Sequence, residues 1–447
     1  MRSHRRHAGK AAAVALALAG LLALPSHGRA QEVSAQVLSA LTALPKARVV
    51  ILLREPEGRT SSLSRRAAEI DDTRQSVLGE LSADEFRLTA QFVALSVVGG
   101  EVSLAGLKKL LQHPDVVRID LDVPVRAALA ESVPLIHADQ VHNAGVTGRG
   151  VTVAVLDSGV EASHPDFKDR VVAEQCFCAN PDGSGCCPNG SKEQSGSGAG
   201  KDEDGHGTNV AGVIASGGRV SPVGVAPDAT IVNIRVLDKK GAAASTTQIM
   251  QGLDWIIATR PDVKIVNMSL ATPNLFSGTC DGAASFTTGF AQAINTLRSR
   301  GVLTFVSSGN DGSPSQIAAP ACVAGAIAVG ATYDANVGSV SFGCNDATTG
   351  ADRMACFSNS SSAVDMVAPG GATTGPGLGG GTSTYFGTSQ AAPHAAGVAA
   401  LLLSAKAGRS PDQIEQAMKN SGISVTDGKS GLTFKRIDAQ AALAALP

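Results

Sequence analysis

The stretch Gly387-Thr388-Ser389-Gln390-Ala391-Ala392-Pro393-His394-Ala395-Ala396-Gly397-Val398 decides how the rest of the sequence is interpreted. Small residues form a turn before Ser389, and an alanine-rich apolar run continues to Leu403, which predicts a loop that opens a buried helix. Pro393 is compatible with the first turn, because N–H groups there have no partner within the helix. The free N–H groups and partial positive charge of a helix N-terminus would stabilise an oxyanion beside Ser389. Ser389 is therefore a candidate nucleophile, although an ordinary buried helix would give the same pattern.

Two other stretches contain the groups that a serine nucleophile needs. The apolar, β-branched run Val151–Leu156 predicts a buried parallel strand, and Asp157 stands at its end. In Asp204-Gly205-His206-Gly207-Thr208 a histidine opens a second helix of small residues. Alone, a strand-end aspartate is usually a turn residue and a single histidine is usually structural. Together, in the order Asp157, His206, Ser389, they predict a carboxylate, a base and a nucleophile for acyl transfer.

The three motifs resemble those of the subtilases, the subtilisin-like serine endopeptidases, and their order is the one found in subtilisin. The resemblance extends from about Val133 to the end of the chain. It implies an endopeptidase of broad specificity that hydrolyses peptide bonds through an acyl-enzyme and needs no cofactor for the chemistry. Asn209 departs from the many subtilases that have a second histidine there, but that position is not catalytic in the family.

Apolar strand patterns alternate with helical patterns after Val151, which predicts an α/β fold with a mainly parallel sheet and helices on both faces. The expected strands are Val151–Leu156, Thr230–Val236, Ile265–Ser269, Val302–Ser307 and Ala326–Gly330. The expected helices are His206–Ser216, Thr247–Ala258, Phe286–Arg300 and Ser389–Leu403.

The region before the catalytic motifs shows a different order of elements. Within residues 31–130, the pattern strand-helix-strand-strand-helix-strand predicts a ferredoxin-like α+β domain, with its two middle strands at Phe86–Phe92 and Ala94–Val98. By resemblance this domain is an inhibitory propeptide, removed by self-cleavage between Arg126 and Glu131, and residues 131–447 are the catalytic domain. A stable accessory domain that is never removed is the alternative.

Residues 1–30 predict an export signal, with a basic start, an apolar run Ala11–Leu24 and cleavage after Ala30. The run is short for a membrane span, although an uncleaved anchor is the alternative. We therefore expect a secreted protein, extracellular or, in a Gram-negative host, periplasmic, with no membrane contact after cleavage. The formal net charge of −2 argues against a nucleic-acid partner. The expected form is a monomer that acts on proteins and peptides.

An even number of cysteines in an exported chain predicts disulfide bonds. All of them follow the signal: Cys176, Cys178, Cys186, Cys187, Cys280, Cys322, Cys344 and Cys356. Cys344–Cys356 and Cys280–Cys322 are the expected pairs, while the first four pair among themselves in an undetermined order. A zinc site built from those four is the alternative.

The resemblance also assigns residues around the scissile bond. Asn310 follows an apolar strand, as the oxyanion-binding asparagine of subtilases does, although a turn asparagine would look the same. Substrate is expected to bind as an added strand. The residues expected to line its path are Gly241, Ser269, Leu270, Ala271, Ser307, Ser308 and Gly309. Ala271 stands where subtilases usually have glycine, so we expect a slightly narrower pocket, and without an obvious acidic cluster we expect an apolar preference.

One possible metal site and two alternative functions remain to be tested. Asp166 matches a calcium ligand of many subtilases, but Arg219 in the partner loop argues against a cation there, so structural calcium is doubtful. A catalytically inactive peptide-binding module would have the same fold. A processing protease selective for basic residues would have the same triad.

Overall fold

The structure is a computed structural model that describes residues 32–56, 63–122 and 129–447. The predicted export signal and residues 126–128, half of the predicted cleavage segment, lie outside the described residues. The chain divides into two compact units, Met1–Val125 and Arg126–Pro447, and the predicted cleavage within 126–131 stays a prediction. Among the described residues, no helix is both long enough and apolar enough to cross a membrane.

The first unit contains one sheet and its helices, and the sheet is antiparallel except at its edge, where β1 pairs parallel with β5. The helices are α1 (Ala35–Ala43), α2 (Leu63–Gly79) and α3 (Leu104–Leu110), and the strands are β1 (Glu32–Val33), β2 (Lys46–Leu53), β3 (Phe86–Gln91), β4 (Val97–Ser103) and β5 (Val116–Leu121). The sheet order is β1-β5-β2-β4-β3, and β2 pairs antiparallel with both β4 and β5. From β2 onward the elements follow the ferredoxin-like order, as predicted.

The predicted strand Ala94–Val98 was wrong in its position. The observed strand β4 continues through Gly99 and Gly100, a pair that at the sequence level indicates the end of a strand. The ring of Phe86 lies against Gly100, where an added Cβ would stand 2.1 Å from a ring carbon. The glycine therefore makes room for an aromatic side chain on the neighbouring strand instead of ending the strand.

The second unit contains most of the chain. Its helices are α4 (Leu129–Leu135), α5 (Ala138–Asn143), α6 (His206–Ala215), α7 (Thr246–Thr259), α8 (Ser285–Ser299), α9 (Thr388–Ala405), α10 (Pro411–Ser421) and α11 (Ala439–Ala445). Its strands are β6 (Thr152–Asp157), β7 (Val171–Phe177), β8 (Glu193–Ser195), β9 (Thr230–Arg235), β10 (Val263–Met268), β11 (Leu275–Phe276), β12 (Leu303–Ser307), β13 (Ile317–Ala318), β14 (Ile327–Tyr333), β15 (Val340–Ser341), β16 (Asn345–Asp346), β17 (Met366–Gly371), β18 (Thr373–Gly377), β19 (Gly381–Tyr385), β20 (Ile423–Thr426) and β21 (Thr433–Arg436).

A ten-stranded sheet of order β20-β21-β17-β14-β12-β10-β6-β9-β7-β8 organises this unit. All neighbouring pairs from β21 to β7 are parallel, and only the edge strands β20 and β8 pair antiparallel. The mainly parallel sheet predicted from the sequence is confirmed. Strand β6 lies between β9 and β10, so later strands are added on both sides of it. Sites in such sheets form where the strand order reverses, at the carboxyl ends of the strands.

Both faces of the central strands are buried, which explains why β6 is apolar without alternation. Val153 and Val155 face one core, which includes residues of α6 and α9. Ala154 and Leu156 face the other core, which includes residues of α7 and α8. Burial of each valine or leucine contributes about 1.5–3 kcal/mol, so the strand that ends at Asp157 is firmly fixed.

All eight cysteines form disulfide bonds. The predicted pairs Cys280–Cys322 and Cys344–Cys356 are confirmed. Within the insertion between Asp157 and His206, Cys176 pairs with Cys187 and Cys178 with Cys186. These bonds leave no thiolate for the zinc alternative, and they close the loop that joins β7 to β8.

Candidate active site

Asp157 and His206 are joined by a short hydrogen bond. Asp157 ends β6 and His206 begins α6, and the His206 Nδ1 to Asp157 Oδ1 distance is 2.8 Å. The Asp157 carboxylate is buried, with 1% of its side chain exposed, and also accepts a hydrogen bond from the Ser158 N–H at 2.7 Å. Because an ionised carboxylate only accepts, Nδ1 carries the proton and Nε2 is left as the proton acceptor.

A second carboxylate, Asp202, fixes the turn that presents His206. It accepts hydrogen bonds from the two N–H groups just before His206, at 3.0 Å each, and from the N–H and hydroxyl of Thr208 at 3.0 and 2.6 Å. The Ser158 hydroxyl donates to Asp202 and accepts from the Gly207 N–H, both at 2.9 Å. Asp202 and Ser158 thus connect the start of α6 to the end of β6. Sequence reasoning missed both, although an acidic residue just before the histidine was a usable signal.

Gly207 permits the close approach of these two elements. A Cβ at this position would lie 2.2 Å from the carbonyl oxygen of Gly159 and 3.0 Å from the Cβ of Asp157. Any side chain would push α6 away from β6. The glycine after His206 is therefore a steric requirement of the Asp157–His206 hydrogen bond.

Two opposing effects act on the pKa of His206. Burial favours the neutral ring, but the charge and hydrogen bond of Asp157, together with the charges of Asp204 and Asp202, outweigh burial and raise the pKa above its usual value. About 20% of the imidazole side chain is exposed, so it can meet a substrate. A base of this kind accepts a proton only when the pH exceeds its raised pKa.

Ser389 lies at the carboxyl edge of the same sheet. It is the second residue of α9, its hydroxyl donates to the carbonyl of Ser269 at 3.2 Å, and the Ser269 hydroxyl donates to the Ser389 carbonyl at 2.6 Å. Ser269 directly follows β10, the neighbour of β6. These contacts place the predicted nucleophile beside the strand that carries Asp157.

Two interactions join the helix of Ser389, and the strand that leads to it, to the helix of His206. The Gln390 side-chain amide donates to Asn209 Oδ1 at 3.4 Å. The ring of Tyr385, which precedes Ser389 on β19, meets the His206 imidazole edge-on, with centroids 5.6 Å apart and an interplanar angle of 87°. Asp157, His206 and Ser389 are thus brought to one edge of the sheet. Tyr385 was missed because no local pattern links its hairpin to a distant histidine.

Asn310 is held by the residue next to Ser389. Its Oδ1 accepts hydrogen bonds from the N–H and the hydroxyl of Thr388, both at 2.9 Å. Its Nδ2 lies beside Gly387, where an added Cβ would stand 3.2 Å away. Because the oxygen is engaged, the amide nitrogen keeps its N–H groups available beside Ser389. Buried Asn359 fixes this loop by accepting from the N–H groups that follow Asn310, at 3.0 Å each.

The two predicted walls of the substrate pocket lie next to each other. The Ser307 hydroxyl donates to the Leu270 carbonyl at 3.3 Å, and the Gly309 N–H donates to the Thr388 hydroxyl at 3.2 Å. Ser307, Ser308 and Gly309 are buried as whole residues, so this predicted wall presents almost no accessible surface in the structure. Of the other wall, Ser269 contacts Ser389 directly, Leu270 is buried, and Ala271 is exposed.

Gly241 stands on a different loop, beside an acidic side chain. It has φ of +70°, and a Cβ added there would be 3.5 Å from Asp204 Oδ2. Asp204 itself accepts a hydrogen bond from the His206 N–H at 3.1 Å, and burial, more than the neighbouring carboxylates, raises its pKa. The structure therefore places a carboxylate between Gly241 and His206, which the sequence did not indicate.

Asp166 is surrounded by hydrogen-bond donors. Its carboxylate accepts from the backbone N–H groups of Arg219, Val220 and Ser221 at 2.5, 3.0 and 2.8 Å, and from the Ser221 hydroxyl at 2.8 Å. Burial alone would raise its pKa, but these bonds lower it. Calcium requires converging oxygen ligands, so the residues present do not fit a calcium ion at Asp166. Within the described ranges, no group of three or more acidic, histidine or cysteine side chains is arranged to hold a metal.

Comparisons with known proteins match this architecture. A model of the subtilase family matches residues 148–437, a range that includes all the predicted catalytic residues. An alkaline protease of Alkalihalobacillus alcalophilus is 34% identical over 360 residues, which cover 78% of this chain and 80% of that protein. Subtilisin E of Bacillus subtilis is 31% identical over 326 residues, which cover 71% of this chain and 73% of that protein. A solved structure of proteases from Pseudoalteromonas arctica gives a TM-score of 0.53 at 28% identity, covering 71% of this chain and 94% of that one.

Proposed function

The chain belongs to the subtilase family and is a serine endopeptidase, and from this premise we propose that Asp157, His206 and Ser389 are its catalytic triad. The observation that supports this assignment best is the 2.8 Å hydrogen bond from His206 to buried Asp157, at the sheet edge where Ser389 also lies. Asn310 is proposed as the side-chain donor of the oxyanion hole.

The first half of the reaction forms an acyl-enzyme. The Ser389 hydroxyl leaves the Ser269 carbonyl, gives its proton to His206 Nε2, and its oxygen bonds to the scissile carbonyl carbon. Asp157 keeps the imidazole in the required tautomer and stabilises the imidazolium. The oxyanion accepts hydrogen bonds from the Ser389 N–H and from Asn310 Nδ2. When the C–N bond breaks, the imidazolium gives its proton to the leaving amine.

The second half repeats these roles with water. His206 removes a proton from a water molecule as the water oxygen bonds to the acyl carbon. The second tetrahedral species collapses, its bond to Ser389 Oγ breaks, and His206 returns the proton to the serine. Substrate main chain would lie between the segment Ser269–Ala271 and the loop at Gly241, as an added strand.

The protein is further proposed to be a secreted zymogen. In this proposal residues 1–30 direct export, residues 31–130 are the inhibitory propeptide, and the enzyme cuts itself between Arg126 and Glu131. The four disulfide bonds suit an oxidising compartment. A parallel sheet with long-range pairing folds slowly, so an attached folding template has a physical purpose.

Replacement of the nucleophile tests both proposals. Ser389→Ala should abolish peptide hydrolysis and accumulate full-length precursor, while Ser277→Ala, at an exposed serine, should process normally. The uncut precursor, mixed with a trace of mature wild-type enzyme, should then be cut in trans at the same bond. Processing of purified Ser389→Ala without added enzyme would show that another protease makes the cut. Normal hydrolysis by that variant would remove Ser389 from the site.

A further inference from the structure

A cleft lies at the opposite edge of the main sheet from the triad. It has a volume of about 830 Å³ and is lined where the chain enters the central strands: at Val151 before β6, at Lys264 in β10, and at Gly301 before β12. The carboxyl ends of these same strands carry the proposed catalytic residues. The loop between α9 and α10 forms the remaining wall.

Basic side chains outnumber acidic ones in the lining of this cleft, although the whole chain has a formal net charge of −2. Lys264, Arg298, Arg300 and Arg409 face a single acidic residue, Asp412. Arg298 is already neutralised, because it contacts Asp412 at 2.5 Å and Glu415 at 2.6 Å. Lys264, Arg300 and Arg409 have no salt bridge to any described carboxylate.

Asp262, two residues before Lys264 along the chain, compensates that lysine only in part, because its main partner is Arg260. Asp262 is held by Arg260 through two hydrogen bonds, at 2.8 and 2.6 Å. Among the residues that the structure describes, Arg300 donates only to the carbonyl of Ile257, at 2.5 Å, and this neutral acceptor does not compensate its charge. The cleft therefore keeps a surplus of positive charge.

Arg409 supplies an observation independent of the charge count. Its Nε is enclosed and has no hydrogen-bond partner among the described residues. The loop that carries it is rigid, because Ser410 caps α10 through a capping box and Pro411 begins that helix. A donor enclosed without an acceptor is unfavourable. A negative charge beside the rest of this guanidinium, which belongs to a partly exposed side chain, would offset that cost.

We propose that this basic cleft, defined by Lys264, Arg300 and Arg409, binds a compact oxyanion with two or more negative charges, of the pyrophosphate type. Guanidinium groups present paired N–H donors that match phosphate oxygens, and the ammonium of Lys264 adds a point charge. A singly charged anion would leave most of the surplus charge uncompensated. Bound there, the anion would connect the α9–α10 loop, the start of β10 and the end of α8, far along the strands from the triad.

The test is calorimetric titration of the full chain carrying Ser389→Ala with sodium pyrophosphate, without divalent metal and at constant ionic strength. We expect saturable binding to one site, and a dissociation constant at least about tenfold larger in Arg409→Gln, since a hydrogen bond to a charged group is lost. Lys264→Gln should weaken binding as well. Lys168→Gln removes one positive charge from an exposed position outside the cleft and should leave the affinity unchanged.

Two further measurements keep the outcome decisive. Thermal unfolding of each variant without anion identifies any variant that fails to fold, and a folded Arg300→Gln then replaces it in the titration. Pyrophosphate should raise the Tm of the parent chain and raise it less in the cleft variants. Absence of saturable binding, or equal affinity in Arg409→Gln and Lys168→Gln, would overturn the proposal. Hydrolysis by Arg409→Gln with an intact Ser389 should match that of the wild type, so the result is independent of the catalytic assignment.

Discussion

The two edges of the main sheet are built from the same strands and have opposite character. At the carboxyl edge, each proposed catalytic side chain has a partner within the protein: Asp157 with His206, Ser389 with Ser269, and Asn310 with Thr388. At the amino edge, the Nε of Arg409 is enclosed without a partner among the described residues. One enclosed oxygen at the carboxyl edge, Asp157 Oδ2, likewise has no partner among the described residues. The two edges therefore differ in charge: carboxylates surround His206 at one edge, whereas basic side chains outnumber acidic ones at the other, where we propose that an external anion binds.

The largest expected effect on activity comes from a substitution at the carboxyl edge, at Asp157. Asp157→Asn should lower kcat by about 10⁴-fold, because an asparagine in place of the carboxylate allows the wrong tautomer of His206. Arg409→Gln, at the other edge, should leave kcat and KM unchanged. Equal losses in both variants would mean that the two edges are not functionally distinct.

In the wild type, kcat/KM should fall as the pH decreases, with an apparent pKa above the usual histidine value of about 6.5. The reason is that nearby carboxylates raise the pKa of His206.

Removal of the proposed oxyanion donor should have the next largest effect. Asn310→Ala is expected to lower kcat by about 10²–10³-fold with little change in KM, the size known for the corresponding asparagine of subtilisin. The reason is that Nδ2 would donate a hydrogen bond to the oxyanion, which forms only after the carbonyl is attacked. Its loss should therefore affect the reaction step and not substrate binding. Asn274→Ala, at an exposed asparagine, is the matched control. Steady-state kinetics on one peptide substrate would decide, and an unchanged kcat would exclude Asn310 from the site.

The fold could be predicted because its strongest signals are local. The apolar run before Asp157 and the small-residue helices after His206 and Ser389 fix a buried strand and two buried helices without knowledge of their neighbours. Strand β7 was not predicted, because Glu174 and Gln175 interrupt its apolar pattern, although it pairs with β9 in the sheet. Its place depends on pairing with a strand more than fifty residues away, which no local window contains.

The site was predictable to the extent that single side chains carry its chemistry. Short local motifs were enough to identify four candidate residues: Asp157, His206, Ser389 and Asn310. Asp202 and Tyr385 act through contacts made by folding, one by capping the turn before His206 and the other by packing against its ring. Such contacts leave a trace in sequence only when the contacting residues are close along the chain, as Asp202 is and Tyr385 is not.

Two histidines at the carboxyl edge provide a comparison within that edge. Burial lowers the pKa of His394 to about 4, although its Nδ1 donates to the Gln390 carbonyl at 2.7 Å. As the pH falls, the His394 ring is protonated in the unfolded chain before it is protonated in the folded one. The free energy of unfolding should therefore decrease between about pH 6.5 and pH 4, by about 3 kcal/mol. The pKa of His206 is raised, so its contribution to stability is present at low pH and is lost as the pH rises.

Equilibrium unfolding in urea, followed by the fluorescence of the single tryptophan, Trp255, measures this effect. With Ser389→Ala as the parent chain, the free energy of unfolding should fall between pH 7 and pH 4 by more than in His394→Gln, which keeps a donor but does not titrate. Parallel curves for the two proteins would show that His394 does not contribute to acid sensitivity.

The smallest expected effect concerns Asp166. Because backbone N–H groups already satisfy its carboxylate, a chelator should leave Tm unchanged, while Asp166→Asn should lower Tm equally with and without added calcium. Thermal melting of the four combinations is the measurement. A fall in Tm on chelation that disappears in Asp166→Asn would place calcium at this residue after all.

Labelling with a fluorophosphonate, followed by peptide mapping, tests the central assignment most directly. The account predicts one label per molecule of mature enzyme, attached to Ser389, and its loss in His206→Ala, because only an activated serine oxygen attacks the phosphorus. A folded, mature protein that takes no label, or that carries it on a neighbouring serine such as Ser269, would contradict the account.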